Sequence, residues 1–211
     1  NIVVFAYHRF GENSYPSTNV TIEQFESHLE ELKIGEYTVL PLPHIIQSLK
    51  AGKRLPDRTV GISIDDAYLS VYTHAWPRLK AAGFPFTIFI ATDPIDRKSA
   101  NFMTWAQIQE LAKAGVTLGS HTGSHLHMPM ESQQNNLEEL NRSQKRFLEI
   151  FGWTPNIFAY PYGETSLRIQ AMAKKTGFLA AFGQHSGAFS ETSKMFNLPR
   201  FSMNENYAGI K

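Results

Sequence analysis

Val60-Gly61-Ile62-Ser63-Ile64-Asp65-Asp66 opens a stretch that runs on through a helical pattern at Leu69–Ala82, a stop at Gly83 and a second apolar run, Phe86–Ala91. Both apolar runs are short and rich in Val, Ile and Phe, which favours strand over helix. Strand, helix, strand is the unit from which parallel sheets are built. The same alternation extends in both directions. Further strands are expected at Ile2–Tyr7, Thr38–Leu40, Val116–Ser120, Ile157–Tyr160 and Leu179–Phe182, and further helices at Thr21–Lys33, Pro43–Ala51, Trp105–Ala114, Ser132–Phe151 and Leu167–Thr176. Thr21 followed by Gln24 reads as a capping box. Gly52, Gly83, Gly115, Gly152 and Gly177 each fall just past a helical pattern, where a left-handed cap favours glycine.

Seven strands alternating with six helices predict an α/β fold, a parallel sheet with helices outside it. At 211 residues the chain is short for an eight-fold barrel of about 250, so a smaller, distorted barrel fits better. Residues 1–211 read as a single catalytic domain. In such a fold the chemistry sits at the carboxyl ends of the strands.

Bulk composition narrows the classes of partner. Twenty Lys+Arg balance 19 Asp+Glu, which gives no reason to expect nucleic acid or an anionic membrane. Cysteine is absent, so disulfides and thiolate metal sites are excluded and any transition metal must use His and carboxylate. No run approaches the about 18 apolar residues of a membrane-spanning segment. The chain opens at Asn1 directly into a strand, which reads as a mature or trimmed chain.

The polar residues that stand out do fall at strand ends. They are Tyr7-His8-Arg9, Asp65-Asp66, His121-Thr122-Gly123-Ser124-His125, Tyr160-Pro161-Tyr162-Gly163 and Gly183-Gln184-His185. Each has an ordinary explanation: Asp-Asp as turn or cap of the next helix, His8 as a capped histidine, His185 as a loop residue. The spacing of His121 and His125, if helical, places two imidazoles side by side as a shared cation requires. Taken together, an acidic pair and a histidine pair supply the Asp, His and His of a catalytic zinc site with an open position.

In these motifs the chain resembles the polysaccharide deacetylase, or NodB-homology, family of carbohydrate esterases. Ser63-Ile64-Asp65-Asp66 is similar to that family's Thr-Phe-Asp-Asp, and His121-Thr122-Gly123-Ser124-His125 to its His-Ser/Thr-x-x-His. Phe158-Ala159-Tyr160-Pro161-Tyr162-Gly163 resembles its Phe-Arg-x-Pro-Tyr-Gly, and Met103-Thr104-Trp105 resembles the approach to the second motif. Two departures stand out. Ala159 occupies the place of the usual arginine, for which Arg200 is the candidate replacement, and a late Leu-x-His motif is missing. With Tyr7-His8 early in the chain, both departures resemble the subgroup of biofilm poly-N-acetylglucosamine deacetylases.

The resemblance implies a distorted (β/α)7 barrel that removes N-acetyl groups from an N-acetylglucosamine-containing polysaccharide. It implies a divalent metal, zinc first among the choices, on Asp66, His121 and His125. Asp65 is then the general base, and the backbone N–H of Tyr162 an oxyanion donor. His8 is the candidate acid for the leaving nitrogen, with His185 next. Tyr160, Tyr162 and Trp105 are candidate sugar platforms or core residues, and His127 either supports the site or is a solvated loop residue. His28, His44 and His74 read as surface. An envelope or extracellular glycan as substrate implies a periplasmic or extracellular location. A hydrolase of a small cyclic amide or imide on the same fold and a carbohydrate-binding domain without catalysis are the competing readings.

Overall fold

The computed structural model describes residues 1–207 and Gly209. In chain order the elements are β1 (Val3–Tyr7), β2 (Arg9–Phe10), β3 (Asn19–Val20), α1 (Ile22–Ile34), β4 (Thr38–Val39), α2 (Leu42–Lys50), β5 (Thr59–Asp65) and α3 (Trp76–Ala82). Then come β6 (Thr87–Ile90), α4 (Thr92–Asp96), α5 (Trp105–Lys113), β7 (Thr117–Ser120), α6 (Gln133–Phe151), β8 (Ile157–Ala159), α7 (Leu167–Thr176), β9 (Ala180–Phe182) and β10 (Phe201–Ser202). The main sheet runs β10-β1-β5-β6-β7-β8-β9, every pairing parallel.

This is the expected parallel α/β architecture, curled with its helices outside, with one change of membership. The seventh place on the path belongs to β10, not to Thr38–Leu40, whose two-residue strand β4 pairs only with the start of β5. A two-residue strand after Pro199 carries little apolar pattern, which is why β10 is not evident in the sequence. The segment before it completes the curl. Leu198 exchanges backbone hydrogen bonds with Ala181 and Gly183 beside β9, and Phe201 then pairs with Phe5 of β1.

The helices follow the sequence closely. Thr21 and Gln24 make the reciprocal capping box of α1, and the five glycines past the helical patterns all adopt positive φ. The helix expected over Leu69–Ala82 divides. Val71–Ala75 is a π turn, and α3 begins only at Trp76 with Pro77 in its first turn. Pro77 has no N–H to donate, so the wide turn stands where a continuous α-helix would need that bond.

Two apolar layers hold the sheet. Phe5, Tyr7, Ile62, Ile64, Ile88 and Leu118 pack outward against Leu29 and Leu32 of α1, Leu79 of α3 and Ile108 and Leu111 of α5. Inside, Val4, Phe89, Ile157 and Phe182 pack with Leu42, Ile45, Ile46 and Leu49 of α2, which plugs the amino end of the barrel. Gly61 makes room for that plug, since a Cβ there would lie 2.5 Å from the Leu42 side chain.

Strand register then fixes what faces the opposite mouth. Val4 pairs with Gly61, Ala6 with Ser63, Asp65 with Phe89, Phe89 with Gly119 and Ala159 with Phe182. Side chains alternate along a strand, so continuing this inward set gives His8, Asp65 and His121. Arg200, two residues before the Ser202 that pairs with Ala6, joins them by the same parity.

Candidate active site

Asp65 is the last residue of β5, and Asp66 would point away from it if the strand continued. It does not: Asp66 has φ 80° and Ala67 φ 59°, and the turn brings the second carboxylate back over the mouth. The His121–His125 loop uses the same device, with Thr122 at φ 68° and His125 at φ 60°. The four-residue spacing therefore works through a left-handed loop and not the helical turn expected from sequence. Thr122 Oγ1 accepts the His125 N–H, while Glu139 of α6 accepts the N–H groups of Gly123 and Ser124, both at 2.8 Å. Tyr162 is left-handed too, at φ 61°. Non-glycine residues at positive φ are strained, and such strain persists where surrounding structure holds a functional geometry.

The result is a compact cluster. Asp66 Oδ1 lies 3.2 Å from Nε2 of both His121 and His125, and the three residues offer ligand atoms within 4.8 Å of one another. His121 Nδ1 is 2.6 Å from the Ala159 carbonyl, which can only accept, so Nδ1 carries the proton and the neutral ring's Nε2 is a bare lone pair. Asp66 Oδ1 and His121 Nε2 are buried and neither has a hydrogen bond. Two acceptors facing each other at this distance repel unless positive charge lies between them. One carboxylate and two imidazoles are a donor set suited to a divalent ion, with a coordination position left open. Without an ion, a proton on either facing imidazole supplies that charge, and against the upward push of burial it holds the Asp66 carboxyl well below the usual carboxylate range.

Asp65 stands beside this cluster, fully buried. Arg200, also fully buried, forks onto it with Nη1 to Oδ1 at 2.8 Å and Nη2 to Oδ2 at 2.9 Å. Arg200 also donates to the Gly183 carbonyl and to Ser63 Oγ, so the guanidinium is fixed on three sides. An arginine thus reaches Asp65 from just before β10, while Ala159 offers none. Burial pushes the Asp65 carboxyl up, and Arg200, with His121 and His8, outweighs it and holds the group below its ordinary value.

His8 Nε2 approaches Asp65 Oδ2 at 3.7 Å. Burial pushes this imidazole down, and the charges of Asp65 and Asp66 pull it back only in part. His185 is exposed and its ring lies against Gly183, while its carbonyl accepts the Arg200 N–H. Of the two candidate acids, His8 is the one in contact with the Asp65 carboxylate.

Tyr162 is 47% exposed, its ring edge-on to His125 at 4.6 Å and stacked on His127 at 3.9 Å and 7°. His127 Nδ1 in turn bonds Glu164 at 2.5 Å, so His127 supports the ring that presses on His125. Of the other two candidate platforms, one is buried and the other half-buried against the core. Tyr160 is fully buried with its hydroxyl on the Phe196 carbonyl, and Trp105 packs against Phe147 and Phe151 with its indole N–H on Asp96. His28 also departs from expectation: it is 1% exposed, and its Nδ1 bonds the Tyr7 hydroxyl at 2.8 Å. The buried face of α1 carries it inward. His44 is exposed and His74 half-buried. Glu139 and Tyr68 are contributors that sequence reasoning missed. Glu139 lies in a highly polar helix where nothing marks it out. Tyr68, two residues past Asp66, has its phenol pushed up by burial and by the facing Asp66 carboxylate.

Residues 52–181 match the model of the family described as polysaccharide deacetylase. The chain belongs to that family. The matched span carries Asp65, Asp66, His121, His125 and Tyr162, while His8 and Arg200 lie outside it. Among curated relatives of this deacetylase-family chain, YxkH of Bacillus subtilis (strain 168) is 29% identical, covering 98% of this chain and 72% of its own. The poly-beta-1,6-N-acetyl-D-glucosamine N-deacetylase of Staphylococcus aureus (strain MSSA476) is 26% identical, covering 96% and 73%. The Streptococcus pyogenes deacetylase PplD, solved in complex with acetate, shares the fold, with TM-score 0.89 at 21% identity over 97% of this chain and 93% of that one. Among the described residues no helix is long and apolar enough to cross a membrane.

Proposed function

We propose that this chain is a metal-dependent hydrolase that removes N-acetyl groups from a β-linked N-acetylglucosamine polymer, releasing acetate. The observation that carries the reading is the Asp66–His121–His125 cluster with a second, arginine-held carboxylate, Asp65, beside it. The polymer is suggested by the staphylococcal relative, whose name specifies poly-β-1,6-N-acetylglucosamine. Such a glycan places the enzyme in the periplasm or outside the cell.

Asp66, His121 and His125 would hold the ion, zinc being the first choice for this donor set. Bound there, a divalent ion polarises the acetamide carbonyl and acidifies the attacking water. Asp65 takes the proton from that water as the oxygen adds to the carbonyl carbon. Arg200 keeps the carboxylate in one orientation and ionised before reaction. The N–H of Tyr162, held in its left-handed turn by Pro161 and Gly163, donates to the developing oxyanion. His8 delivers a proton to the amide nitrogen as the C–N bond breaks, leaving acetate and a free amine. The Arg200 fork on Asp65 favours this reading over a carbohydrate-binding domain without catalysis.

The test is acetate release from β-linked N-acetylglucosamine oligomers by zinc-loaded protein, comparing wild type with Asp65→Asn and His8→Ala. Asp65→Asn should abolish turnover with metal content unchanged, and His8→Ala should lower kcat with metal still bound. Undiminished turnover in either variant removes that residue from its role. No acetate from wild type on any oligomer overturns the reading.

A further inference from the structure

Four aromatic side chains are among the exposed large hydrophobics: Tyr15, Trp153, Tyr162 and Tyr207. Tyr162 flanks the candidate metal cluster through His125. Tyr15 is linked to Asp66 by a different route, through a stack. The Tyr68 phenol faces Asp66, the Arg9 guanidinium lies 3.7 Å from the centroid of the Tyr68 ring, and the Tyr15 ring lies 4.1 Å beyond Arg9. The two exposed rings thus connect to Asp66 through separate contacts, Tyr162 by way of His125 and Tyr15 by way of Arg9 and Tyr68.

The Tyr15 ring is 60% exposed, yet its mounting is that of a built element. Arg9 is held between the rings by Glu12 at 3.1 Å. Glu12 accepts from Ser70 Oγ at 2.8 Å, and its backbone exchanges two bonds with the Asn19 amide. Tyr68 packs on Phe102 at 4.8 Å. Tyr15 itself has φ 62°, its carbonyl accepts from Thr18 and Asn19, and the next carbonyl, of Pro16, accepts from Glu205. A bulky residue at positive φ costs free energy, and here the strain serves to present an aromatic face to solvent. Arg9 covers one face of the ring and solvent meets the rest.

We infer that Tyr15 is a glycan platform, stacking on the apolar face of a sugar ring beyond the one being deacetylated, with Arg9 and Tyr68 as the mount that fixes its angle. Pyranose rings carry C–H groups on one face, which a rigid aromatic ring can cover at low entropic cost. A glycan resting on Tyr15 with its reacting unit at Asp66 is recognised through several consecutive residues of the polymer. The inference deepens the deacetylase reading and rests on it for the identity of the ligand.

The experiment compares wild type, Tyr15→Ala and Tyr15→Trp on β-linked N-acetylglucosamine oligomers from dimer to hexamer, reading KM and kcat for acetate release and, separately, calorimetric binding of the hexamer. Tyr15→Ala should raise KM for the hexamer about tenfold, with a loss that shrinks as the oligomer shortens, and Tyr15→Trp should restore it. A loss of equal size on dimer and hexamer, or none on the hexamer, overturns the platform. If wild type binds the hexamer without releasing acetate, the deacetylase reading fails. The platform then stands or falls on whether Tyr15→Ala weakens that binding.

Discussion

Arg200 grips both oxygens of Asp65 across 135 residues of sequence, and neither side chain is exposed to solvent. A fork of this kind is planar and directional, so it sets the rotation of the carboxylate as well as its charge. Removing one partner leaves the other as an uncompensated buried charge. Arg200→Ala should therefore cost about 3–5 kcal/mol in urea denaturation. It should also lower kcat at least about a hundredfold by releasing Asp65 from its position. Arg200→Lys keeps the charge but cannot fork, and should fall between. The double variant Asp65→Asn/Arg200→Ala should lose less stability than the two single losses added together. Strict additivity would mean that the pair is not coupled.

The Asp66–His121–His125 cluster gives a second prediction. Buried acceptors facing one another without a hydrogen bond destabilise the metal-free protein, and an ion bound only by the folded state stabilises it by mass action. Adding zinc to chelator-treated protein should raise Tm by several degrees, at 100 times Kd adding about 2.7 kcal/mol. His125→Ala and Asp66→Ala should lose that response, whereas Asp65→Asn should keep it. A zinc-induced rise that survives in both ligand variants would place the ion elsewhere.

How much of this was legible beforehand follows from what each feature depends on. The strands from Ile2–Tyr7 to Leu179–Phe182 carry local apolar patterns, and those patterns alone gave the parallel α/β class. The cluster residues lie in short motifs whose spacing survives reading as a string. Arg200 could be suspected, because a gap at Ala159 asks for a replacement, but its partner is set by barrel closure and not by neighbours in sequence. His28 was misjudged for the converse reason. In helix α1 its polar ring reads as outward, and only the Tyr7 hydroxyl beneath explains why it turns in. Tyr15 was invisible, since an exposed aromatic in a loop has no pattern until Arg9 and Tyr68 are seen stacked against it.

The buried His28 carries a pH prediction. Burial lowers its pKa from the ordinary 6.5 to about 4. Between these values the unfolded chain binds a proton that the folded one does not, so stability falls as pH drops through this window and the loss is complete below about 4. The full effect is about 3 kcal/mol. His28→Gln keeps a partner for the Tyr7 hydroxyl and has no ionisation. Its unfolding free energy should therefore drop less than that of wild type between pH 7.5 and pH 4.5, in urea titrations at both values. Identical drops would mean that His28 is protonated in the folded state.

Ala67 separates strain from packing. Its methyl is fully buried, and its φ of 59° lies in the left-handed region, directly after the ligand candidate Asp66. A packing methyl lost to glycine costs about 0.8 kcal/mol in transfer, and glycine loosens the unfolded chain by about 0.4–1 kcal/mol more. Against that, glycine relieves left-handed strain of about 1–2 kcal/mol. Ala67→Gly should therefore stay within about 1 kcal/mol of wild type in urea denaturation. Ala67→Val adds β-branching where the backbone is already strained and atoms where there is no room, and should cost about 3 kcal/mol and weaken zinc binding by shifting Asp66. If the backbone were relaxed at Ala67, the order would change: glycine would show the whole cavity and entropy loss, and valine only the overpacking. Unfolding curves for the two variants, with zinc titrations on each, decide whether the turn that brings Asp66 over the mouth is held under strain.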